Sequence, residues 1–456
     1  MADQRTSRNA SAGGGRRLGR WVRRTDGRLT VLAAGLVMVA VLTGVIAAGD
    51  LARRTTLSDT IAVHYGQLTV QALDLYHSLA DADATSASEF LAGVGAPPAL
   101  WQAFQSNVAR AASAIDNVSQ LNESSSNTVA AAVVDACSAG TTTVAPSPVA
   151  FRLDLLARDL SVYSGLVQTA RVYDRMGLPL GSTYLELAST MMRRDMLPQA
   201  RTLYAELSAQ LATAQDEAAG FPLLAVALVV LLVGALIAAQ VVLFRHTRRR
   251  VNVGLLAATL TTVLALGLLL VASLGAISDA RTSATEGTAQ VQMLAVARVE
   301  ALQARADETV VLILQGNGAT FETAFAQAST CLRTQLGRAG SVIAQTDSSS
   351  AVHNAATADT RWAQAHRSAR AADDGGDYAT AVAMTIGPDR TSTSSLAGQV
   401  DRDIGQAINQ ASDRFDSAVR GAREALAGTT TWFVILIALT IVGVLAGMWP
   451  RIAEYR

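Results

Sequence analysis

Residues 243–254 read LFRHTRRRVNVG, and Arg245, Arg248, Arg249 and Arg250 stand there between two long apolar runs with no carboxylate beside them. In a chain with 37 basic and 37 acidic residues, that local imbalance needs a cause. The flanking runs, residues 221–244 and 251–277, hold no acidic or basic side chain, and each is long enough to cross a hydrocarbon core of roughly 30 Å. Residues 29–48 and 431–449 have the same character. The first of these four runs has a second reading as a secretory leader. Its apolar stretch is too long for that, however, and the GDLARR that follows is a poor small-residue cleavage site. The expectation is therefore four membrane-spanning helices.

Charge then sets the orientation. Residues 1–28 carry eight arginines against Asp3 and Asp26, and the 245–250 hairpin carries four against none. Residues 50–220 carry ten arginines against seventeen acids, and residues 278–428 carry thirteen against seventeen. Basic residues close to span ends mark the cytoplasmic side. The basic N-terminal segment 1–28, the hairpin 245–250 and the tail 450–456 are thus expected inside, and segments 49–220 and 278–430 outside. The inward pieces are too short to bury a core. That leaves no intracellular kinase, cyclase or transcription domain, so any message must pass through a partner.

Both outward segments are rich in Ala, Leu, Gln, Ser, Asp and Arg, a texture that favours helix. Ile61, Tyr65, Leu68, Ala72, Leu75 and Leu79 recur three to four apart, and Val291, Leu294, Val299, Leu302, Val310 and Leu314 continue the idea in the second segment. Neither stripe is clearly broken from the span before it, so each is expected to leave the bilayer as one rod. Turn signals at 92–98, 138–148 and 175–181 divide the first segment, and those at 315–319, 345–350, 372–377 and 386–390 divide the second. The fold class is all-α, an integral membrane protein with two extracytoplasmic antiparallel four-helix bundles. GLPLGSTYLELASTMM (177–192) and DDGGDYATAVAMTIG (373–387) share a glycine turn, a tyrosine and a short apolar helix, then Pro198 or Pro388. Together with the repeated order of spans and segments, this suggests duplication, with a new helix starting at each proline.

Catalytic chemistry is missing. The five histidines lack metal-ligand spacing, and His353 and His366 are expected on one exposed helix. Asp373–Asp374 and Asp401-x-Asp403 fit turns and helix starts better than acid–base pairs. No glycine-rich stretch has the surroundings of a phosphate loop. The reading is of a non-enzyme with no metal, no cofactor and no nucleic acid. Cys137 and Cys331 fall one in each outward segment, as a disulfide between them or as two small apolar residues. The spans lack the midplane charge of a pump, and Gln240, Thr259, Thr261 and Thr262 fit helix-to-helix hydrogen bonding.

Two sets of residues are candidates for contact with partners. Arg20, Trp21, Arg23 and Arg24, with Arg245, His246, Arg248, Arg249 and Arg250, form a cytoplasmic docking surface or an anchor to anionic membrane lipids. Trp101, Phe104, Tyr184, Trp362 and Tyr378 are candidates for a membrane-distal partner surface, with core packing as the other reading.

The phrases SLADADATSASEFLAG (78–93), VYSGLVQTARVYDRMGLPLGSTYLELASTMMR (162–193) and LPQARTLY (197–204), with the span order, resemble the actinobacterial GlnX family. That resemblance implies a relay between an extracytoplasmic glutamine-binding lipoprotein, GlnH, and a cytoplasmic serine/threonine kinase, protein kinase G. A direct small-molecule sensor with chemoreceptor-like bundles and a non-signalling scaffold are the alternatives.

Overall fold

The computed structural model describes residues 25–134, 148–247, 252–282, 289–343, 349–426 and 428–453. The described residues are helical and contain no strand, as the composition required. They form two compact units, one made of residues 1–59, 217–280 and 420–456, the other of residues 60–216 and 281–419.

The first unit holds the four spans: α1 (Thr25–Thr60), α7 (Leu223–Thr247), α8 (Val253–Thr282) and α14 (Thr429–Ala453). All four are long and apolar enough to cross a membrane, which makes this a multi-pass membrane protein. Their outer faces expose Met38, Val45, Leu260 and Val271, while Ala40, Leu236, Ala258 and Phe433 are buried between helices. Trp432 and Trp449 stand exposed near opposite ends of α14, where interfacial tryptophans belong.

Small residues set the spacing between α8 and α14. A Cβ on Gly254 would lie 2.5 Å from the Gly447 backbone, and one on Gly443 would lie 3.0 Å from the Gly254 carbonyl. The glycines thus allow backbone-to-backbone approach, as Gly443 and Gly447 at four-residue spacing would do in any membrane pair. The polar residues noted in the spans close this contact and the neighbouring one between α7 and α8. Thr261 and Thr262 both meet Thr440 Oγ1, at 2.9 and 3.1 Å, and Gln240 donates to Thr259 Oγ1 at 2.7 Å.

The second unit has two halves with the same helix order. The first half contains α2 (Gly66–Ala92), α3 (Pro98–Val134), α4 (Pro148–Arg175), α5 (Leu180–Met191) and α6 (Leu197–Ala219). The second contains α9 (Ala289–Ile313), α10 (Ala319–Ile343), α11 (Ser349–Asp374), α12 (Tyr378–Ile386) and α13 (Thr393–Leu426). Each half has a core of small and branched residues, around Leu75, Leu156 and Leu203 in one and around Leu332, Ala355 and Val400 in the other. The two bundles are one body, because α2 and α9 lie side by side and Ala295, Val299 and Leu302 of α9 enter the first core.

The junctions show how the chain solves local problems. Helix continues from α1 into α2 through a π-helical stretch, Ile61–Tyr65, at the boundary of the two units. A second π-helical stretch, Met192–Met196, joins α5 to α6, so Pro198 sits in the first turn of α6 without a break in the helix before it. The second half differs: Pro388 lies in a turn, and α13 starts later, at Thr393. Ser392 sets that start by accepting from the Ser395 amide.

Candidate functional site at the turn end of the paired bundles

The turns that follow α4 and α11 are built alike. Gly177 and Gly376 have φ of 68° and 84°, a region that a side chain disfavours. Beyond each glycine the next amide closes the helix end, Leu178 N onto the Tyr173 carbonyl and Asp377 N onto the Ala372 carbonyl, both at 2.9 Å. The shared frame then carries different surfaces. Around the first turn, Val94, Val172, Met176, Leu178, Leu180 and Leu187 are all exposed. Around the second, Arg370 pairs with Asp373 and Asp374, and Asp377 caps α12. One tip is apolar and its counterpart is acidic.

Beneath the tips lies a chain of buried polar groups. Asp83 on α2 is 2% exposed and accepts from Ser189 Oγ at 2.9 Å and Tyr163 Oη at 3.3 Å. Arg193 donates to Asp307 on α9 at 2.7 Å and lies 4.0 Å above the Phe321 ring. Its charge also opposes the effect of burial on Asp83. This one guanidinium, carried by the first half, thereby serves a carboxylate from each half. Glu308, next to Asp307, accepts from Trp362 Nε1 at 3.0 Å and meets His366 Nδ1 at 2.8 Å. The other nitrogen of His366 meets Glu322 at 3.1 Å, and Phe325 stacks on the ring at 3.8 Å. At the flank of the first half, Arg171 binds Glu89 at 2.7 Å and covers Trp101 at 4.0 Å.

The surroundings move the proton affinities of these groups. Burial pushes Asp307 up to about 7, with Arg193 pulling the other way and Asp83 adding to the rise. Asp83 is raised for the same first reason, its burial. Burial opposes charge on His366, but its contacts with Glu308 and Glu322 outweigh that and raise its pKa. Farther along the body, Asp401 is held below the usual carboxylate range. Burial resists this, and hydrogen bonds from His77 and Arg298 overcome it.

Several expectations change. Phe104 and Trp362, offered as distal surface, are core residues at 1% exposure; helical spacing turns both inward. Trp101, Tyr184 and Tyr378 are half-buried, Trp101 stacked on Phe104 and Tyr184 on Tyr173. His353 and His366 do share α11, yet only His353 is exposed. His366 sits one turn beyond Trp362 and points inward with it. Asp401 does not start a helix, since it lies inside α13 and pairs with Arg298 at 2.7 Å. Asp373 and Asp374 do lie at the turn that closes α11.

Arg20, Trp21, Arg23, Arg24, Arg248, Arg249, Arg250 and Cys137 are outside the described residues. Arg245 and His246 lie in the last turn of α7, with Arg245 exposed. Cys331 is a half-buried thiol whose pKa is raised by burial and by neighbouring Glu300. Sequence reasoning missed Asp83, Arg193, Asp307 and Glu308. The available signal was position: Asp83 stands four residues after Leu79, and Glu308 four after Ala304, on faces that are otherwise apolar.

Residues 57–216, from the end of α1 through most of α6, match the family model of the actinobacterial sensor domain. No curated protein and no solved structure matches the chain. The family match supports an actinobacterial sensor protein, with a role in sensing or signalling.

Proposed function

We propose that the chain is a transmembrane relay. A partner engages the turn end of the paired bundles outside the cell, and the arginine hairpin reports inside. One observation carries this reading: both halves begin and end on helices whose chain continues into spans. α1 leads into α2, α6 into α7, α8 into α9, and α13 into α14. A body joined to the membrane in this way passes on a bias by shifting those helices, by about 1–2 Å in typical transitions. The apolar tip of the first half suits a protein partner, since exposed patches of this kind mark contact sites.

The resemblance to the GlnX family supplies the partners of this reading, a GlnH-like lipoprotein outside and a protein kinase G-like kinase inside. The outward placement of the paired bundles rests on the arginine distribution. The test is the triple substitution Arg248→Gln, Arg249→Gln and Arg250→Gln, in protein shown to be inserted at the normal level. Loss of the kinase-linked phosphorylation response to amino-acid supply is the expected outcome. A response of undiminished size rules the hairpin out as the output.

A further inference from the structure

A cleft of about 740 Å³ opens in the paired bundles near the ends through which the chain leaves them. Four of its walls come from the four helices that connect to spans: Gly66 and Gln71 of α2, Leu211 of α6, Val291 of α9 and Phe415 of α13. α3 supplies the fifth wall, through Asn117, Gln120 and Leu121. We infer that this cleft is a binding site for an uncharged small molecule bearing hydroxyl or amide groups. The inference goes beyond the relay reading, because it gives the chain a ligand of its own.

The volume falls inside the range of about 300–1,000 Å³ typical of small-molecule sites. The chemistry of the lining narrows the ligand. Among the described lining residues, Asp416 is the one charged group, and no arginine or histidine contributes. An anion would therefore enter without a counter-charge, an unfavourable exchange for its hydration, and Asp416 is exposed to solvent, where water screens its pull on a cation. Asn117 Nδ2 donates to Gln71 Oε1 at 3.0 Å. This bond orients both amides and leaves each with further capacity, the Asn117 oxygen to accept and the Gln71 nitrogen to donate. A hydroxyl or carboxamide, which both donates and accepts, satisfies the pair in one contact. Val70, Leu121, Leu211, Val291 and Phe415 offer apolar surface to the body of such a molecule.

Position gives the site its consequence. Gly66 directly follows the π-helical stretch Ile61–Tyr65, and a Cβ there would meet the Ile61 carbonyl at 3.2 Å and the Phe415 ring at 3.5 Å. Departures from α-helix of this kind are frequent at functional sites. An occupant touching α2, α6, α9 and α13 together favours one spacing of those helices over others, which is what a ligand must do to shift a conformational balance.

The test is titration calorimetry on the full-length protein in lipid nanodiscs with three uncharged probes: maltose, N-acetylglucosamine and N-acetylglycinamide. Inorganic phosphate and tetramethylammonium serve as charged controls. Saturable binding of at least one uncharged probe is expected, about tenfold weaker in Gln71→Ala and in Asn117→Ala. Binding should be lost in Val291→Trp, which fills the cleft, and unchanged in His353→Ala, which is remote from it. Should Val291→Trp fail to fold, the two exposed-face amide variants still decide the matter. The inference is overturned if no uncharged probe saturates, if the amide variants bind as wild type does, or if a charged control binds in preference. No partner is present in this titration, so a failed hairpin experiment leaves its result standing.

Discussion

In the first half the chain leaves α4 through Gly177 into Leu178; in the second it leaves α11 through Gly376 into Asp377. The two turns close with the same hydrogen-bond pattern. The same kinship appears below them, where an aromatic residue of the third helix meets a buried carboxylate of the first, Tyr163 with Asp83 and Trp362 with Glu308. The solutions then part. Asp83 takes its hydrogen bonds from hydroxyls and feels Arg193 only through its charge, whereas the α9 pair Asp307–Glu308 is bonded directly by Arg193 and His366. What the two halves keep in common is the scaffold. What they vary is the surface offered at the tip and the charge stored beneath it.

The largest effect should come from breaking the contact that belongs to both halves. Arg193→Ala leaves Asp307 buried beside Asp83 with no cation, and about 3–5 kcal/mol of stability should be lost in denaturant unfolding of the detergent-solubilised protein at pH 8, where Asp307 is ionised in the wild type. Asp83→Asn, whose neighbours are hydroxyls, should lose much less. Equal losses would mean that the halves store charge in the same way.

Next in size are the two aromatic contacts. Trp362→Phe leaves a buried Glu308 oxygen short of a donor, and about 1–3 kcal/mol should be lost. Tyr163→Phe removes a longer bond, 3.3 Å against 3.0 Å, and should lose less in the same unfolding assay.

A smaller effect concerns pH. The folded pKa of Asp307, about 7, lies above its ordinary value of 3.8, so folding favours the protonated acid. Stability from this group is complete below about pH 4 and is lost as pH rises through about 7. His366, also raised, acts in the same direction: its contribution is present below 6.5 and lost as pH rises through its folded value. Asp401, held low, works in the opposite sense, and its contribution is lost only in strong acid. Melting temperature should therefore fall between about pH 4 and 7 in the wild type, and the slope should flatten in Asp307→Asn. A slope unchanged by that substitution would remove Asp307 as its source.

The smallest effect on stability belongs to the tip. Met176→Ser together with Leu178→Ser should change stability by less than about 0.5 kcal/mol, because both side chains are exposed. The same pair should weaken engagement of an external partner, measured by co-purification with the GlnH-like lipoprotein proposed above. Wild-type engagement would place docking elsewhere, on the acidic tip first of all.

The spans and most of the turns were legible in the sequence, because bilayer thickness and glycine-proline chemistry act over short stretches. The turns at 92–98, 175–181, 315–319 and 372–377 all fall where helices end, while those at 138–148 and 345–350 reach outside the described residues. The buried charges were not legible. α2 is buried on nearly every side from Leu75 to Glu89, and α9 likewise from Ala304 to Leu312, because each is a wall of both bundles. A helix covered all round loses the one-sided period that separates core from surface. The spacing of Asp83 after Leu79 and of Glu308 after Ala304 is then too weak a cue to set these acids apart from solvated charges. Alanine and serine beside them, as in ADADATSAS (80–88), keep the helix slim enough to be enclosed.

A relay of this kind requires the paired bundles to stand outside the cell, and labelling in intact cells with a maleimide that cannot cross the bilayer tests that placement directly. With the native cysteines replaced, Glu186→Cys and Asp374→Cys at the two tips should react in intact cells, and Arg245→Cys only after permeabilisation. Labelling of Arg245→Cys in intact cells, with both tips protected until the membrane is opened, would contradict it.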